Sequence, residues 1–318
     1  MSIQPNGRPP FRADHIGSLL RPPALRKAFR EHAAGSLSDA AFRAVQDAAI
    51  RDVVRLQADC GLEVATDGEF RRISYWEKFV RLTEGLVVKE ARFKFHDDHG
   101  HESDFTAPYA AAKVARRAPI TLDEFDFLRT QTRATPKITM PAPSTMHFYR
   151  YGDFADAKVY PDARAFFADL GAVYQREIAD LARAGCRYVQ LDEVALAMLC
   201  DPAARAKLAA DKIDAERLVD LYVDAINEAV KNRPADMVIG VHMCRGNYKG
   251  MYLSEGGYDS VAEKLFGRAN VNHFLLEFDT PRAGSFEPLR HMPKDKGVVL
   301  GLVSSKTSQL EPMDLLKR

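Results

Sequence analysis

The feature that most constrains this chain is a repeated unit, in which a short apolar run ends in polar residues and is followed by an amphipathic stretch. Seven such runs occur, at residues 13–18, 62–67, 137–142, 188–192, 238–242, 274–278 and 298–303. The runs are continuous rather than alternating, which is typical of strands buried on both faces. The repeated unit therefore predicts a parallel sheet covered by helices.

The stretches between the runs have helical periodicity. Apolar residues recur at steps of three and four across residues 42–60, and Gly61 follows as a stop signal. Residues 166–181, closed by Gly185, show the same pattern, as do residues 218–229 and, over a shorter length, residues 258–266. Each stretch is predicted to be a helix whose apolar face covers the sheet.

Two architectures fit this alternation, a doubly wound open sheet and a closed barrel. A doubly wound dinucleotide-binding sheet would carry a glycine-rich turn after its first strand, but the sequence there is HIGSLLRPP, with one glycine. We therefore predict a single (β/α)₈ TIM-barrel catalytic domain over residues 1–318. Seven strands are recognised where a barrel has eight, so we expect the last strand to lie beyond Arg318, unless the count misses one.

One segment, at about residues 86–121, interrupts the repeat. Apolar and polar residues alternate around VVKEARFKF, and a turn signal follows at His99-Gly100. We interpret it as a β-hairpin inserted between strands two and three. Insertions on this side of a barrel often cover the active site.

Bulk properties exclude several classes of protein. Lys plus Arg is 45 and Asp plus Glu is 44, and the net charge of +1 gives no electrostatic basis for binding nucleic acid. No apolar run is long enough to span a membrane and the first residues lack a secretory signal. The four cysteines are unevenly spaced, which disfavours a disulfide framework. We expect a cytoplasmic protein; its oligomeric state stays open, with a homo-oligomer among the alternatives.

Candidate metal ligands lie at the ends of two consecutive strands. His242 and Cys244 are two residues apart at the end of one strand, so their side chains point to the same side. Glu277 ends the next strand, and neighbouring strands lie ~4.8 Å apart. Imidazole, thiolate and carboxylate together suit Zn²⁺. The alternative is that the H-x-C triplet is incidental and that Cys244 is an inert core residue.

A second candidate set consists of carboxylates at strand ends: Asp67, Glu69, Asp192 and Glu193. Carboxylates that converge on a barrel mouth can bind a cationic amine or act as acid and base; the alternative is that Asp192 or Asp67 simply caps the helix that follows it. The only tryptophan, Trp76, is either a stacking wall for a flat ligand or a core residue.

Motifs in the same order along the whole chain resemble the catalytic half of cobalamin-independent methionine synthase. They are HIGSLLRP, TDGEF, VQLDEVAL, GVHMCRGN, LLEFDTPRAG and VVLGLVSSKT. The resemblance implies a barrel of the methionine synthase/uroporphyrinogen decarboxylase type and a zinc site formed by His242, Cys244, Glu277 and a fourth ligand beyond residue 318. It also implies that one group of residues holds the amino-acid part of homocysteine, namely Ile16, Gly17, Ser18, Glu69 and Asp192. The two carboxylates would bind the ammonium and Ser18 the carboxylate.

The expected activity is zinc-dependent transfer of a methyl group from a methyltetrahydrofolate-like donor to homocysteine, which gives methionine. No general acid is assigned, because the family's Asp-Ile-His triplet is replaced here by Ser304-Ser305-Lys306. The alternatives are a corrinoid or small-molecule methyl donor, alkyl transfer to another thiol, or a non-catalytic barrel subunit. A decarboxylase is disfavoured, since that chemistry needs arginines and no zinc.

Overall fold

The computed structural model describes residues 13–317. Its strands are β1 (Val64–Ala65), β2 (Thr83–Glu90), β3 (Phe95–His96), β4 (Glu102–Ser103), β5 (Thr106–Arg116), β6 (Thr135–Pro141), β7 (Tyr188–Glu193), β8 (Val238–Met243), β9 (His273–Glu277) and β10 (Gly297–Gly301). Its α-helices are α1 (Pro23–Ala33), α2 (Asp39–Asp59), α3 (Glu77–Leu82), α4 (Leu122–Gln131), α5 (Thr145–Phe148), α6 (Ala163–Arg183), α7 (Ala195–Met198), α8 (Pro202–Ala210), α9 (Ala215–Val230), α10 (Ala262–Arg268) and α11 (Met313–Leu316).

Six strands form one parallel sheet in the order β1-β6-β7-β8-β9-β10. Within this sheet, each strand pairs with the sheet strand that follows it along the chain, so the order never reverses. A doubly wound sheet has such a reversal at its centre, and this order excludes it. The sheet is curled into a half-barrel, and closure into eight strands is not shown by residues 13–317. The prediction of a barrel is thus confirmed in part.

The strand predicted at residues 13–18 is wrong, because this segment joins no sheet. Its carbonyl groups bind side chains instead of a neighbouring strand. Gln190 Nε2 donates to Ile16 O at 2.8 Å, and Thr66 Oγ1 donates to Gly17 O at 2.8 Å. Gly17 also has a left-handed φ of +99°, which breaks the extended backbone that a ladder requires.

The helices predicted at residues 42–60, 166–181 and 218–229 are confirmed, whereas the shorter one at residues 258–266 is a 3₁₀ turn followed by α10. Capping residues explain where the two longest helices begin. Ser38 accepts a hydrogen bond from Ala41 N at the start of α2, and Asp162 accepts one from Ala165 N at the start of α6. Gly61 and Gly185, with φ of +76° and +98°, follow the two helices. No helix among residues 13–317 is both long and apolar enough to span a membrane.

The insertion is built from two antiparallel hairpins. Strands β2 and β5 form the long one, with a bulge between Glu84 and Leu86, and β3 and β4 form a short one. The turn of the short hairpin contains Gly100, at φ +82°, as the sequence predicts. His96 and Tyr252 exchange backbone hydrogen bonds of 2.9 Å in both directions. Because Tyr252 lies in the loop that follows β8, the insertion packs over the carboxyl-terminal side of the sheet.

Candidate active site

The register of the sheet brings the candidate residues to one edge. Asp192 on β7 is the register partner of His242 on β8, and His242 is the partner of Leu275 on β9. Continued by two residues, the same register places Cys244 beside Glu277. Neighbouring residues in parallel strands point to the same face. These polar groups therefore share the concave face at its carboxyl end, as predicted.

His242 is the centre of a buried hydrogen-bonded group. Its Nδ1 lies 3.0 Å from Asp192 Oδ1, and Cys244 follows it two residues along the chain. Burial by itself lowers the pKa of this imidazole, but the neighbouring Cys244 and Asp192 raise it, to about 10. The negative charge of Asp192 therefore favours the protonated form of His242 in the absence of a metal ion.

Glu277 is oriented by two donors. Arg245 N donates to Oε2 at 2.8 Å and Lys306 Nζ donates to Oε1 at 3.1 Å. His242, Cys244 and Glu277 are the right ligand types for zinc, and they lie in adjacent register. However, no three His, Cys, Asp or Glu side chains within residues 13–317 come close enough together to hold a metal ion. The three side chains are of the types that bind zinc. To bind a zinc ion, Glu277 would have to give up its contact with Lys306.

A second part of the site lies between Glu69 and Gly17. Thr139 Oγ1 on β6 donates to Glu69 Oε1 at 2.6 Å, and Arg72 Nη1 lies 3.5 Å from the same oxygen. Glu69 has a left-handed φ of +59° that aims its side chain at β6. A Cβ atom added to Gly17 would lie 2.6 Å from Thr139 Cγ2, so only glycine lets this backbone approach so closely.

The two interior carboxylates interact electrostatically. Burial and, to a lesser extent, the charge of Asp192 raise the pKa of Glu69 to about 6, although Arg72 opposes the shift. The other two carboxylates predicted at strand ends have local roles. Asp67 Oδ1 accepts a hydrogen bond from Glu69 N, and Glu193 Oε1 accepts one from Leu196 N at the start of α7. The helix-capping alternative is wrong for Asp67, because Asp67 closes a turn and the next helix, α3, begins only at Glu77; Glu193, by contrast, caps the start of α7.

The remaining predicted residues lie on two sides of the site. Ile16 and Ser18 are exposed and flank the buried Gly17. Trp76 is 8% exposed, precedes the first residue of α3 and belongs to the hydrophobic core. Its position favours the core interpretation over a stacking wall.

Three site residues were missed by sequence reasoning: Lys137, Gln190 and Lys306. Lys137 lies on β6, four residues before its end, and Gln190 lies on β7, three residues before its end; both are fully buried. Two signals in the sequence indicate these residues. Lys137 is a lysine within an otherwise apolar strand, and Gln190 is a glutamine two residues before Asp192. Nothing in the sequence indicates that Lys306 reaches Glu277, since 29 residues separate them.

A cavity of about 550 Å³ is lined by Lys306, whose Nζ contacts Glu277. The tip of the insertion forms one wall, and loops after β8, β9 and β10 form the others. Its lining includes Lys306, Asp279 and Arg282. Two guanidinium nitrogens of Arg282 and one carboxylate oxygen of Asp279 are buried without a hydrogen-bond partner among residues 13–317. The cavity is therefore polar and open to a second ligand.

Residues 11–318 match the model of the family described as cobalamin-independent synthase, catalytic domain. The chain belongs to this family. The resemblance inferred from the ordered motifs is thereby confirmed.

Several relatives support this membership. An uncharacterized Bacillus subtilis protein, YxjH, is 36% identical over 315 residues, which cover 97% of this chain and 81% of the relative. A methionine synthase from Pyrococcus furiosus is 27% identical over 307 residues, which cover 95% of this chain and 78% of that enzyme. The crystal structure of a candidate vitamin-B12-independent methionine synthase from Listeria monocytogenes is 31% identical, with a TM-score of 0.75, and covers 96% of this chain and 84% of that one.

Proposed function

We propose that this protein transfers a methyl group to the thiol of homocysteine and so forms methionine. Membership of the cobalamin-independent synthase family supports methyl transfer. The observation that carries the proposal is the meeting of two buried carboxylates, Glu69 and Asp192, with the thiol and imidazole of Cys244 and His242 at one sheet edge. An amino acid with a thiol side chain matches both halves of this arrangement.

The carboxylates would hold the ammonium group of the substrate. Two buried negative charges close to each other repel, and a cation that binds between them stabilises both. Ile16, Gly17 and Ser18 would complete this end, since the backbone at Gly17 packs against Thr139, which itself binds Glu69. The exposed Ser18 hydroxyl would bind the substrate carboxylate.

The other end would hold the substrate sulfur. His242, Cys244 and Glu277 would bind Zn²⁺, which supplies the positive charge that keeps a thiol, with an ordinary pKa of ~8.5, as a thiolate at neutral pH. Arg245 N already orients the Glu277 carboxylate towards this end. The protein's own residues fix the direction of the sulfur by holding the amino acid at two points.

In the transfer step, a bond forms between the sulfur and the methyl carbon while the bond from that carbon to the donor breaks. The electron pair of the broken bond stays on the donor, which takes up a proton if the broken bond is to nitrogen. The polar cavity next to Lys306 is where we place the donor. The family resemblance implies a methyltetrahydrofolate-like donor, which we therefore propose first. Lys306 lines the cavity where methionine synthases have a different motif, and this departure supports a methylated corrinoid or small molecule as the second candidate.

The decisive experiment is methyl transfer to homocysteine by the full-length protein, with methyltetrahydrofolate, methylcobalamin and simple methylated compounds compared side by side. Methionine formed with at least one donor is the expected result. Failure with every donor, together with no measurable homocysteine binding, would contradict the proposal and favour a non-catalytic barrel.

Zinc is tested separately, by measuring metal content in the full-length protein. We expect about one zinc per chain and its loss in Cys244→Ser. Cys60→Ser is the matched control, since Cys60 is an exposed cysteine at the end of α2. Equal zinc content in the two variants would rule out Cys244 as a ligand.

A further inference from the structure

The side-chain amide of Gln190 connects two segments of the candidate site. Its Nε2 donates to Asp192 Oδ1 at 2.7 Å and to Ile16 O at 2.8 Å. Gln190 is fully buried on β7, so no solvent competes for these hydrogen bonds. One amide group thus joins a strand end to the segment around Gly17, although the two are 174 residues apart in sequence.

The orientation of this amide is set by a buried lysine. Lys137 Nζ donates to Gln190 Oε1 at 3.0 Å. An ammonium group has no acceptor, so the amide oxygen has to face Lys137 and the NH₂ group has to face Ile16 and Asp192. A flipped amide would place two donors together and leave two acceptors unpaired.

Lys137 is itself held in place. It is fully buried, and its Nζ lies 2.9 Å from Asp14 Oδ1. Tyr188 OH donates to Asp14 Oδ2 at 2.6 Å and lies 2.7 Å from His273 Nε2. A buried ion pair contributes little net stability, because desolvation offsets the attraction. Its clear structural effect here is the fixed direction of the Gln190 amide.

Fixing Asp192 has a consequence for ligand binding. Asp192 Oδ1 is used by Gln190 and His242, and the structure gives Oδ2 no hydrogen bond from any described residue. The carboxylate is therefore held with one oxygen available on the concave face, while the same amide holds the Ile16 carbonyl next to it.

We propose that Gln190 is a positioning residue that, oriented by Lys137, sets the Asp192 carboxylate and the segment around Gly17 for the ammonium group of an amino-acid thiol. The inference rests on the proposed function and adds a residue that acts without touching the substrate. It concerns the amino end of the ligand and is independent of the metal and of the methyl donor.

Two substitutions separate positioning from a general structural role. Gln190→Met keeps the size and loses every hydrogen bond. Gln190→Glu keeps an acceptor for Lys137, and even strengthens that contact, but cannot donate to Asp192 or Ile16. If Gln190 served only to satisfy Lys137, glutamate would restore normal binding. Gln46→Met is the matched control, since Gln46 is a buried glutamine that donates to Phe70 O.

The test is calorimetric binding of homocysteine and of its deamino analogue, 4-mercaptobutanoate, to the full-length proteins. In both Gln190 variants we expect homocysteine affinity to fall about tenfold or more, the scale of one lost ionic hydrogen bond, while affinity for the analogue changes less than about twofold. In the transfer assay the KM for homocysteine should rise and the KM for the donor should not.

Equal weakening for both ligands, or normal homocysteine binding in Gln190→Glu, would overturn the positioning role. Absence of homocysteine binding in the unmodified protein is a different result, because it overturns the proposed function and this inference with it. Gln46→Met is expected to bind both ligands like the unmodified protein.

Discussion

Lys306 Nζ lies 3.1 Å from Glu277 Oε1 and 3.5 Å from Asp279 Oδ2, so an ammonium group that lines the polar cavity also contacts Glu277. Lys306 and a metal ion would compete for the same carboxylate. The family resemblance alone does not reveal this competition, because the motif that contains Lys306 departs from that of the methionine synthases.

The first prediction concerns this competition. In Lys306→Met, Glu277 loses a cationic partner, and we expect zinc affinity of the full-length protein to rise by about tenfold. Chelator competition measures the affinity. Lys249→Met is the control, since Lys249 lines the same cavity and makes no ion pair with Glu277 in the structure. Unchanged zinc affinity in Lys306→Met would mean that Glu277 is not a ligand.

The second prediction concerns Gly17. Alanine there would combine a left-handed φ of +99° with a Cβ placed 2.6 Å from Thr139 Cγ2, whereas Gly35→Ala meets only the unfavourable φ of +72°. We expect Gly17→Ala to lower the free energy of unfolding by at least about 1 kcal/mol more than Gly35→Ala in chemical denaturation. Adding Thr139→Ser removes Cγ2 but keeps the hydroxyl, and should recover part of the loss. No recovery would show that the close approach is not the cause.

The third prediction is a pH dependence of stability that arises from Glu193. Burial raises the pKa of this carboxyl to about 7 from an ordinary 4.5, although hydrogen bonds from Ser144 and backbone N–H groups oppose the shift. A raised pKa means that the folded state binds the proton more tightly. The stabilisation is complete below pH 4.5 and is lost as the pH rises through about 7.

In Glu193→Gln the side chain stays neutral at every pH. Between pH 4.5 and 7, the free energy of unfolding of the unmodified protein should therefore fall by on the order of 3 kcal/mol relative to that of Glu193→Gln, as measured by chemical denaturation. Glu84→Gln is the control. Arg117 lowers the pKa of the exposed Glu84, so any change in stability from the titration of Glu84 occurs below pH 4.5. Parallel stability curves for Glu193→Gln and the unmodified protein would contradict the prediction.

The fourth prediction is that homocysteine affinity rises with pH through about 6. Burial raises the pKa of Glu69 to that value, and only the ionised carboxylate attracts an ammonium group. Calorimetry between pH 5 and 8 should show the rise, and Glu69→Gln should remove it. With 4-mercaptobutanoate, which has no ammonium, the affinity should not rise; a rise of equal size would assign the titration to another group.

Much of the fold followed from local pattern. Six of the seven predicted strands and the helices at residues 42–60, 166–181 and 218–229 were found, because apolar periodicity and capping residues act within one element. The segment at residues 13–18 shows where this reasoning failed. Its composition is that of a buried strand, but Lys137, Gln190 and Thr66 take its carbonyl groups, and all three are distant in sequence.

The candidate site divides in the same way. Because side chains alternate along a strand, the sequence placed His242 and Cys244 on one face of their strand, with Glu277 at the end of the next strand. The ordered motifs identified the family. The roles of four carboxylates could not be separated from sequence, since Asp67 and Glu193 differ from Glu69 and Asp192 only in what they contact.

The sequence by itself determined the parallel sheet, its order of elements, an antiparallel insertion after the second predicted strand and the kinds of polar side chain at the strand ends, because these depend on residue type and spacing. Only the tertiary structure decided that Lys306 pairs with Glu277, that Lys137 orients Gln190 and that Gly17 packs on Thr139. Those contacts join residues 29 to 122 positions apart, and they depend on side-chain direction and burial after the sheet has curled.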